Sequence, residues 1–306
     1  MEKKQCLVLL SNGLDSRLVV KIMQEQGFDV TAVFFKMAFS KNVEDEVKEF
    51  AKEQKIKLKI IDLTKEEFLQ DYLEMVKKPK FSRGTGVNPC IDCKIFIFKR
   101  AREFADLKGI DLIVAGDVLG ERPMSQMKKS LKIVEEESGL KGRLLRPLSA
   151  KHLDETNSEK NKLVDREKLY EIQGRQRKGQ IALAKKFRMK YPSPGGGCLM
   201  CEKSLKNRFK FLLKRGLSDE ETALVGIGRH FLVDTCWVVI GRNLTENKII
   251  MDIKKGEKLV SKSPGPSAII LDECADKTIN KVEKLIKSYS KEGSEKDRKK
   301  FEEDKI

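Results

Sequence analysis

Histidine is almost absent: His152 and His230 are the only two in a chain of 306 residues. Neither has a second histidine or a carboxylate at a convincing ligand spacing, so neither is assigned to a metal or to general-base work. No uninterrupted apolar run approaches the length of a membrane span. The opening Met1-Glu2-Lys3-Lys4-Gln5 runs straight into a strand pattern instead of a signal peptide, so a cytoplasmic location is expected. There is no internal repeat. Seven cysteines in that compartment argue against a disulfide scaffold, and Cys6, Cys236 and Cys274 stand singly and read as ordinary buried residues. What the chain has in excess is positive charge, +16 net. It is concentrated at Lys77-Lys78-Pro79-Lys80, Arg175-Gln176-Arg177-Lys178, Lys185-Lys186-Phe187-Arg188 and from Lys203 to Arg215. A Lys/Glu-rich surface is one reading of this charge. The density of basic residues over 175–215 favours the other, a nucleic-acid partner.

The most informative segment is Ser11-Asn12-Gly13-Leu14-Asp15-Ser16, which follows the apolar run Cys6–Leu10 and precedes Arg17-Leu18-Val19-Val20-Lys21-Ile22-Met23. A buried strand that feeds a small-residue turn opening a helix can hold a phosphate. Successive backbone N–H groups face the anion, and the helix N-terminus adds positive partial charge. The spacing is not that of a Walker loop, and no lysine closes it. The plainer reading is a helix N-cap, with Asp15 or Ser16 in the first turn.

Strands and helices alternate through the first half. Strands are expected at Gln5–Leu10, Asp29–Phe35, Leu58–Leu63 and Asp111–Gly116, and helices at Ser16–Gln26, Val43–Gln54, Lys65–Val76 and Asp92–Lys108. Such alternation predicts an α/β domain with a parallel sheet covered on both faces, its ligands at the carboxyl ends of the strands. Three features fall there: the Ser11–Ser16 turn, Phe34-Phe35-Lys36-Met37, and Ala115-Gly116-Asp117. The loop from Lys78 to Pro89 carries Arg83-Gly84-Thr85-Gly86 and Asn88-Pro89. The polar stretch from Ala150 to Val164 reads as an exposed excursion, and Arg166–Phe187 as a basic helix. Tyr191-Pro192-Ser193-Pro194-Gly195-Gly196-Gly197 is a hard break. Beyond a basic helix at Leu205–Arg215, strands are expected at Phe231–Val233, Trp237–Ile240, Lys248–Met251 and Ser267–Leu271, followed by a helix at Thr278–Lys291 and a frayed or disordered tail, Glu292–Ile306. The expected organisation is residues 1–190 as the nucleotide domain, 191–225 as a cysteine loop and basic connector, 226–291 as a small α+β, β-rich module, and 292–306 as the tail.

Cys90-Ile91-Asp92-Cys93 and Cys198-Leu199-Met200-Cys201 are two C-x-x-C pairs. They admit a structural zinc site of four thiolates, an iron–sulfur cluster held by three, or a nucleophile and resolving cysteine carrying persulfide sulfur. A helix start at Cys90 and Cys93 would lower their thiol pKa. Gly116-Asp117 with Gly120-Glu121-Arg122 and Gln126 reads as a wall of the nucleotide site, with Arg122 near phosphate charge, or as a plain β–α connection capped by Asp117. Arg143 and Arg146 could serve phosphate, RNA or the surface.

Taken in order, Ser11–Ser16, Asn88-Pro89-Cys90-Ile91-Asp92-Cys93-Lys94, Ala115–Gln126, Leu145-Arg146-Pro147-Leu148 and the late Gly-Gly-Cys198 resemble the ATP-dependent tRNA thiouridine synthetases. These are pyrophosphate-loop (PP-loop) ATP pyrophosphatases with an adenine nucleotide alpha hydrolase-like domain. The resemblance spans about residues 5–201. It implies adenylation of a uridine carbonyl oxygen and displacement of AMP by sulfur, with ATP and Mg2+ as cofactors and tRNA and a sulfide or persulfide carrier as partners; no membrane is involved. By resemblance, Ser11, Asn12, Gly13, Asp15 and Ser16 form the loop, and Phe35, Gly116, Asp117 and Gln126 line the nucleotide. Asp15, Cys90, Cys93 and Cys198 carry the chemistry. The three cysteines match the branch that holds a [4Fe-4S] cluster with one iron open to exogenous sulfur.

Cys201 is surplus to that pattern and keeps a four-cysteine Zn2+ site in view. Asn12 stands where glycine is commoner. The N-terminal RNA-binding domain of many 4-thiouridine synthetases is expected to be missing; instead Val239–Ile249 and Pro264–Ile270 look like the small RNA-binding module of ribosome-quality-control proteins. Two other functions use the same residues. One is thiolation or amidation of a small molecule, which the basic 166–215 region disfavours. The other is a zinc-stabilised RNA-binding protein, which the intact loop disfavours. Whether one chain or a homodimer builds the RNA site stays open.

Overall fold

The run Cys6-Leu7-Val8-Leu9 forms β1 (Gln5–Leu9), and its alternate side chains enter two different cores. Cys6 and Val8 pack on one face of a sheet and Leu7 on the other, so a strand covered on both sides reads as continuously apolar. The computed structural model describes residues 4–84, 86–193, 197–261 and 263–306. The chain divides into two units, Met1–Cys201 and Glu202–Ile306.

In the first unit β1 is followed by α1 (Leu14–Glu25), β2 (Asp29–Lys36), α2 (Glu44–Glu53), β3 (Lys57–Asp62), α3 (Glu66–Lys77), α4 (Cys90–Leu107), β4 (Ile113–Ala115), α5 (Lys128–Ser138), β5 (Leu144–Leu145), the short α6 (Asn157–Lys160) and α7 (Lys178–Lys186). The five strands lie in the order β3-β2-β1-β4-β5, every pairing parallel. Leu18, Val19 and Met23 of α1 and Phe50 of α2 cover one face; Ile91, Ile95 and Phe98 of α4 and Val134 of α5 cover the other. This is the α/β parallel-sheet architecture expected.

Two local expectations fail here. The basic helix expected over Arg166–Phe187 begins only at Lys178, because Gly174 and Arg177 both take left-handed backbone (φ 83° and 55°) and the segment before them is irregular apart from a short turn at Arg166–Lys168. The excursion from Ala150 to Val164 is not simply exposed. Thr156 and Glu159 form a buried capping box, Arg166 pairs with Glu159, and Val164 is buried. Its polar residues satisfy one another, which its composition alone does not reveal.

The second unit holds α8 (Lys206–Arg215), α9 (Asp219–Leu224), β6 (Arg229–Val233), β7 (Cys236–Ile240), α10 (Leu244–Asp252), β8 (Glu257–Val260), β9 (Ser267–Ile270), α11 (Asp276–Ser288) and α12 (Glu295–Lys299). Its strands form an antiparallel sheet, β6-β7-β9-β8, with Val282, Leu285 and Ile286 of α11 packed on it. Lys248–Met251, expected as a strand, lies in α10, where the Asn243 side chain caps the Glu246 N–H and nucleates a helix. The tail is not frayed: Ser294 and Asp297 make a capping box, and β6 exchanges hydrogen bonds with it (Leu232 N–H donates to Asp304 O, 2.7 Å; Ile306 N–H donates to His230 O, 3.1 Å). Cys236 and Cys274 are not single buried residues but a disulfide, Cα atoms 6.2 Å apart, which ties the start of β7 to the chain after β9. Among the described residues no helix is long and apolar enough to cross a membrane.

His230 is a structural residue of this unit. Its Nε2–H faces Ile227 O (2.8 Å) and Leu224 O (3.1 Å), while its Nδ1 accepts from the Trp237 indole (3.1 Å). Burial, helped by the Arg208 charge, pushes its pKa down to about 3. The unfolded histidine takes a proton below about pH 6.5 that the folded one refuses. Stability is therefore full above that pH and is lost as pH falls towards 3, by about 1.4 kcal/mol per unit. Urea unfolding followed by the single tryptophan, Trp237, is expected to show this loss between pH 7.5 and 5.5; equal stability at the two pH values would refute it.

Candidate active site

The strand order reverses between β1 and β4, so a crevice opens at their carboxyl ends. The Ser11–Ser16 turn leaves β1 on one side and Gly116-Asp117 leaves β4 on the other. They touch: a Cβ on Gly116 would stand 2.7 Å from both Asp15 C and Ser16 N. Gly116→Ala is thus expected to displace the turn and lower kcat/KM for the nucleotide on the order of 10²-fold while the far-ultraviolet CD stays native. Unchanged kinetics would show that the close approach is unimportant.

Within the turn, Ser16 Oγ donates to Gly13 O (2.9 Å) and receives the Ser11 N–H (3.2 Å), with Ser11 Oγ 3.3 Å away. The N-cap of α1 is Gly13; Asp15 lies in the first turn as the plainer reading expected, but no side chain caps the helix. The helix end keeps its donors for a ligand.

Asp15 is partly buried; no N–H or hydroxyl of the protein donates to its Oδ1, and its carboxyl lies within hydrogen-bond reach of the Glu121 carboxyl. Burial, then the neighbouring Glu121, push its pKa up to about 7 against the opposing pull of Arg177 and Arg122. Arg177 bridges the two carboxylates, 3.3 Å from Asp15 Oδ2 and 2.6 Å from Glu121 Oε1, and Gln180 donates to Glu121 Oε2 (3.2 Å). An orphaned carboxylate oxygen beside a second carboxylate suits a hard divalent cation.

Asp117 is buried and paired with Lys94. Gln126 donates to it (3.2 Å) and Arg146 Nε stands 3.6 Å away. Burial alone would raise its pKa, but the Lys94 and Arg146 charges outweigh that and hold the carboxyl below the ordinary range. Phe35, at the end of β2, is packed in the α4-side core. Arg146 is engaged with Glu135 as well as Asp117, and Arg143 with Asp106 (2.8 Å) and Asp111 (2.9 Å), so both serve the scaffold. His152 bonds the Glu171 carbonyl (2.7 Å).

The cysteines meet at the same edge of the sheet. Cys90 opens α4 and Cys93 follows one turn on. The strap that carries Cys198 and Cys201 is stitched down on both sides: Ser40 bridges to Cys198, Leu199 N–H donates to Phe39 O (2.8 Å), and Val87 N–H donates to Met200 O (3.1 Å). Gly86 permits this, since a Cβ there would lie 2.2 Å from Met200 O. Pro194, Gly195 and Gly196 of the preceding break lie outside the described residues, as does Thr85.

Asn88 Nδ2 donates to Cys90 Sγ (3.1 Å), and the Tyr72 hydroxyl lies 3.6 Å from Cys93 Sγ. Cys93 is partly covered as a residue, but its sulfur points inward, and burial pushes the thiol up, as it does for Cys198; Cys201 is pushed up to about 12. The helix start therefore does not lower Cys93; desolvation wins. Each of these three thiols also feels others of the set, so the four sulfurs share one electrostatic neighbourhood. Their soft-donor chemistry fits a thiolate-bound metal. As placed, no group of three His, Cys, Asp or Glu side chains among the described residues has closed into a metal-holding set. Arg122 acts on both Asp15 and Cys201, so the loop and the strap lie within one charge's reach. Sequence reading placed Glu121 in the wall of the nucleotide site but missed Tyr72 and Arg177 as site residues. Tyr72 looks like any apolar-face residue of its helix, and Arg177 lies 162 positions from Asp15.

The sheet, the phosphate-type turn and the crevice define a PP-loop ATPase fold with a separate small antiparallel module. A family model described as thiamine biosynthesis protein (ThiI) matches residues 2–164, a little over half of the chain. The chain belongs to that family. A second model, the NFACT protein RNA binding domain, matches residues 228–303. The chain is 30% identical over 122 residues to a tRNA-specific 2-thiouridylase MnmA of a Nitratiruptor species, covering 37% of this chain and 34% of that one. It is 29% identical over 143 residues to a probable tRNA sulfurtransferase of Methanocaldococcus jannaschii, covering 46% and 36%. It thus spans about a third of the length of these relatives. A solved 4-thiouridine synthetase–RNA complex with bound ATP aligns at TM-score 0.39 and 15% identity, covering 88% of this chain and 55% of that one.

Proposed function

We propose that this chain is an ATP-dependent tRNA-thiolating enzyme. A uridine carbonyl oxygen attacks the α-phosphorus of ATP and pyrophosphate leaves; a sulfur nucleophile then attacks the activated carbon, and AMP departs with the oxygen. The observation that carries this reading is the approach of the nucleotide turn and the cysteine strap at one sheet edge, both within the field of Arg122. A mere binding protein has no need of that pairing. In this reading the Ser11–Ser16 turn and the uncapped α1 N-terminus hold the phosphates, Gly116 and Gln126 flank the nucleotide, and the orphaned Asp15 oxygen would hold Mg2+.

Cys90, Cys93 and Cys198 would hold a [4Fe-4S] cluster, which when bound supplies an open iron for exogenous sulfur. The chain's own residues prepare that place: Tyr72 and Asn88 orient two sulfurs, and the strap's backbone bonds fix the third. The basic surface and the module that resembles an RNA-binding domain would hold the tRNA. Deletion of the gene is expected to remove one thiouridine from the host tRNA nucleosides by mass spectrometry, and re-expression to restore it. An unchanged nucleoside profile would overturn the proposal.

A further inference from the structure

Asn12 has φ 70°, in the left-handed region that glycine enters freely and other residues enter at a cost. It occupies the second position of the turn, where the chain must reverse to present the N–H groups of the following residues. Asparagine is among the side chains that tolerate it best, and here a second contact fixes it. Arg17, one turn into α1 and 8% exposed, grips it twice. Its Nε donates to Asn12 O (3.2 Å) and its Nη2 to Asn12 Oδ1 (2.5 Å), so one planar guanidinium fixes both the main-chain and the side-chain carbonyl. Its Nη1 donates to Lys190 O (2.9 Å), and the group stacks on the Phe50 ring, 4.6 Å from the centroid. The two bonds to Asn12 and the Phe50 ring are buried. The forked geometry cannot be supplied by a lysine, whose ammonium is a point charge.

We propose that Arg17 is a positioning residue for the nucleotide turn: its guanidinium latches Asn12 in the left-handed conformation and so stands in for a glycine at that position. The inference rests on the reading of Ser11–Ser16 as an ATP site and adds a specific dependence to it. Arg17 matters for nucleotide binding only as long as residue 12 carries a side chain. Its contacts to Lys190 and Phe50 serve stability whatever stands at residue 12.

The test is a double-mutant cycle on the full chain with α,β-methylene ATP as the probe, in the presence of Mg2+, read by calorimetric Kd and by thermal midpoint. Arg17→Met keeps an unbranched stem of similar length and removes the guanidinium, and with it the fork on Asn12 and the stack on Phe50. In the Asn12 background it is expected to raise Kd about tenfold. In the Asn12→Gly background, measured against that variant's own Kd, it is expected to change Kd by less than about twofold. The thermal midpoint should fall in both backgrounds, because the Lys190 bond is lost in both. Equal losses of affinity in the two backgrounds would overturn the latch, as would no loss in the Asn12 background. Wild-type protein that fails to bind the probe at all would overturn the ATP reading itself, a different and recognisable outcome.

Discussion

Asp15→Asn is expected to abolish pyrophosphate release, by on the order of 10³-fold or more, while tRNA retention on a filter stays at the wild-type level. The amide keeps the size of the carboxylate but cannot supply an anionic oxygen to a divalent cation. The oxygen concerned, Asp15 Oδ1, is the one to which no N–H or hydroxyl of the protein donates. The same substitution should stabilise the first unit at alkaline pH. Burial and Glu121 hold the Asp15 pKa up at about 7, above its value in the unfolded chain. The stability this protonated carboxyl contributes is full below the unfolded pKa of about 4 and is lost as pH rises through 7, where the buried charge must form. An asparagine removes that dependence. Loss of catalysis with gain of stability separates a residue held for chemistry from one held for packing. Unchanged ATP consumption would defeat the assignment of the turn.

Legibility in the sequence followed the range of the interactions. The β1–turn–α1 unit is local: apolar strand, small residues and amphipathic helix are contiguous, and its fold could be read directly. The parallel sheet followed from alternation. Where a short apolar run stood alone, as at Ile249-Ile250-Met251, strand and helix could not be told apart, and the cap at Asn243 decided for helix. β8 was missed because it is a partly exposed strand at the sheet edge with charged residues, Glu257-Lys258-Leu259-Val260. The C-x-x-C spacing announced two cysteine pairs, but nothing local announced that Cys236 pairs with Cys274, 38 positions away. The same holds for the Arg177 bridge to Asp15 and for the latch on Asn12: a left-handed asparagine and a buried arginine have no signature in composition. Spacing gives the cysteine pairs, and only the fold gives what orients them.

Cys201→Ala is expected to leave anaerobically bound iron and tRNA thiolation within about twofold of wild type, whereas Cys90→Ala, Cys93→Ala and Cys198→Ala should each cut thiolation by at least about 10²-fold with ATP consumption retained. The asymmetry comes from how the four sulfurs are held. Cys198 is fixed by its bridge to Ser40 and by the adjoining bonds to Phe39 and Lys41, Cys93 by the Tyr72 hydroxyl, and Cys90 by the Asn88 amide. Cys201 is the exposed member, on a short turn whose N–H returns to Cys198 O (3.1 Å). Three oriented sulfurs and one peripheral sulfur suit a cluster with an open coordination position better than a closed tetrahedral zinc site, in which all four thiolates would carry equal weight. Metal analysis of each variant beside its activity decides between them. If Cys201→Ala loses its metal as completely as Cys198→Ala, and the wild-type metal is zinc, the site is a closed one. The sulfur would then have to come directly from an external donor, because all four thiolates of a closed site are committed to the metal.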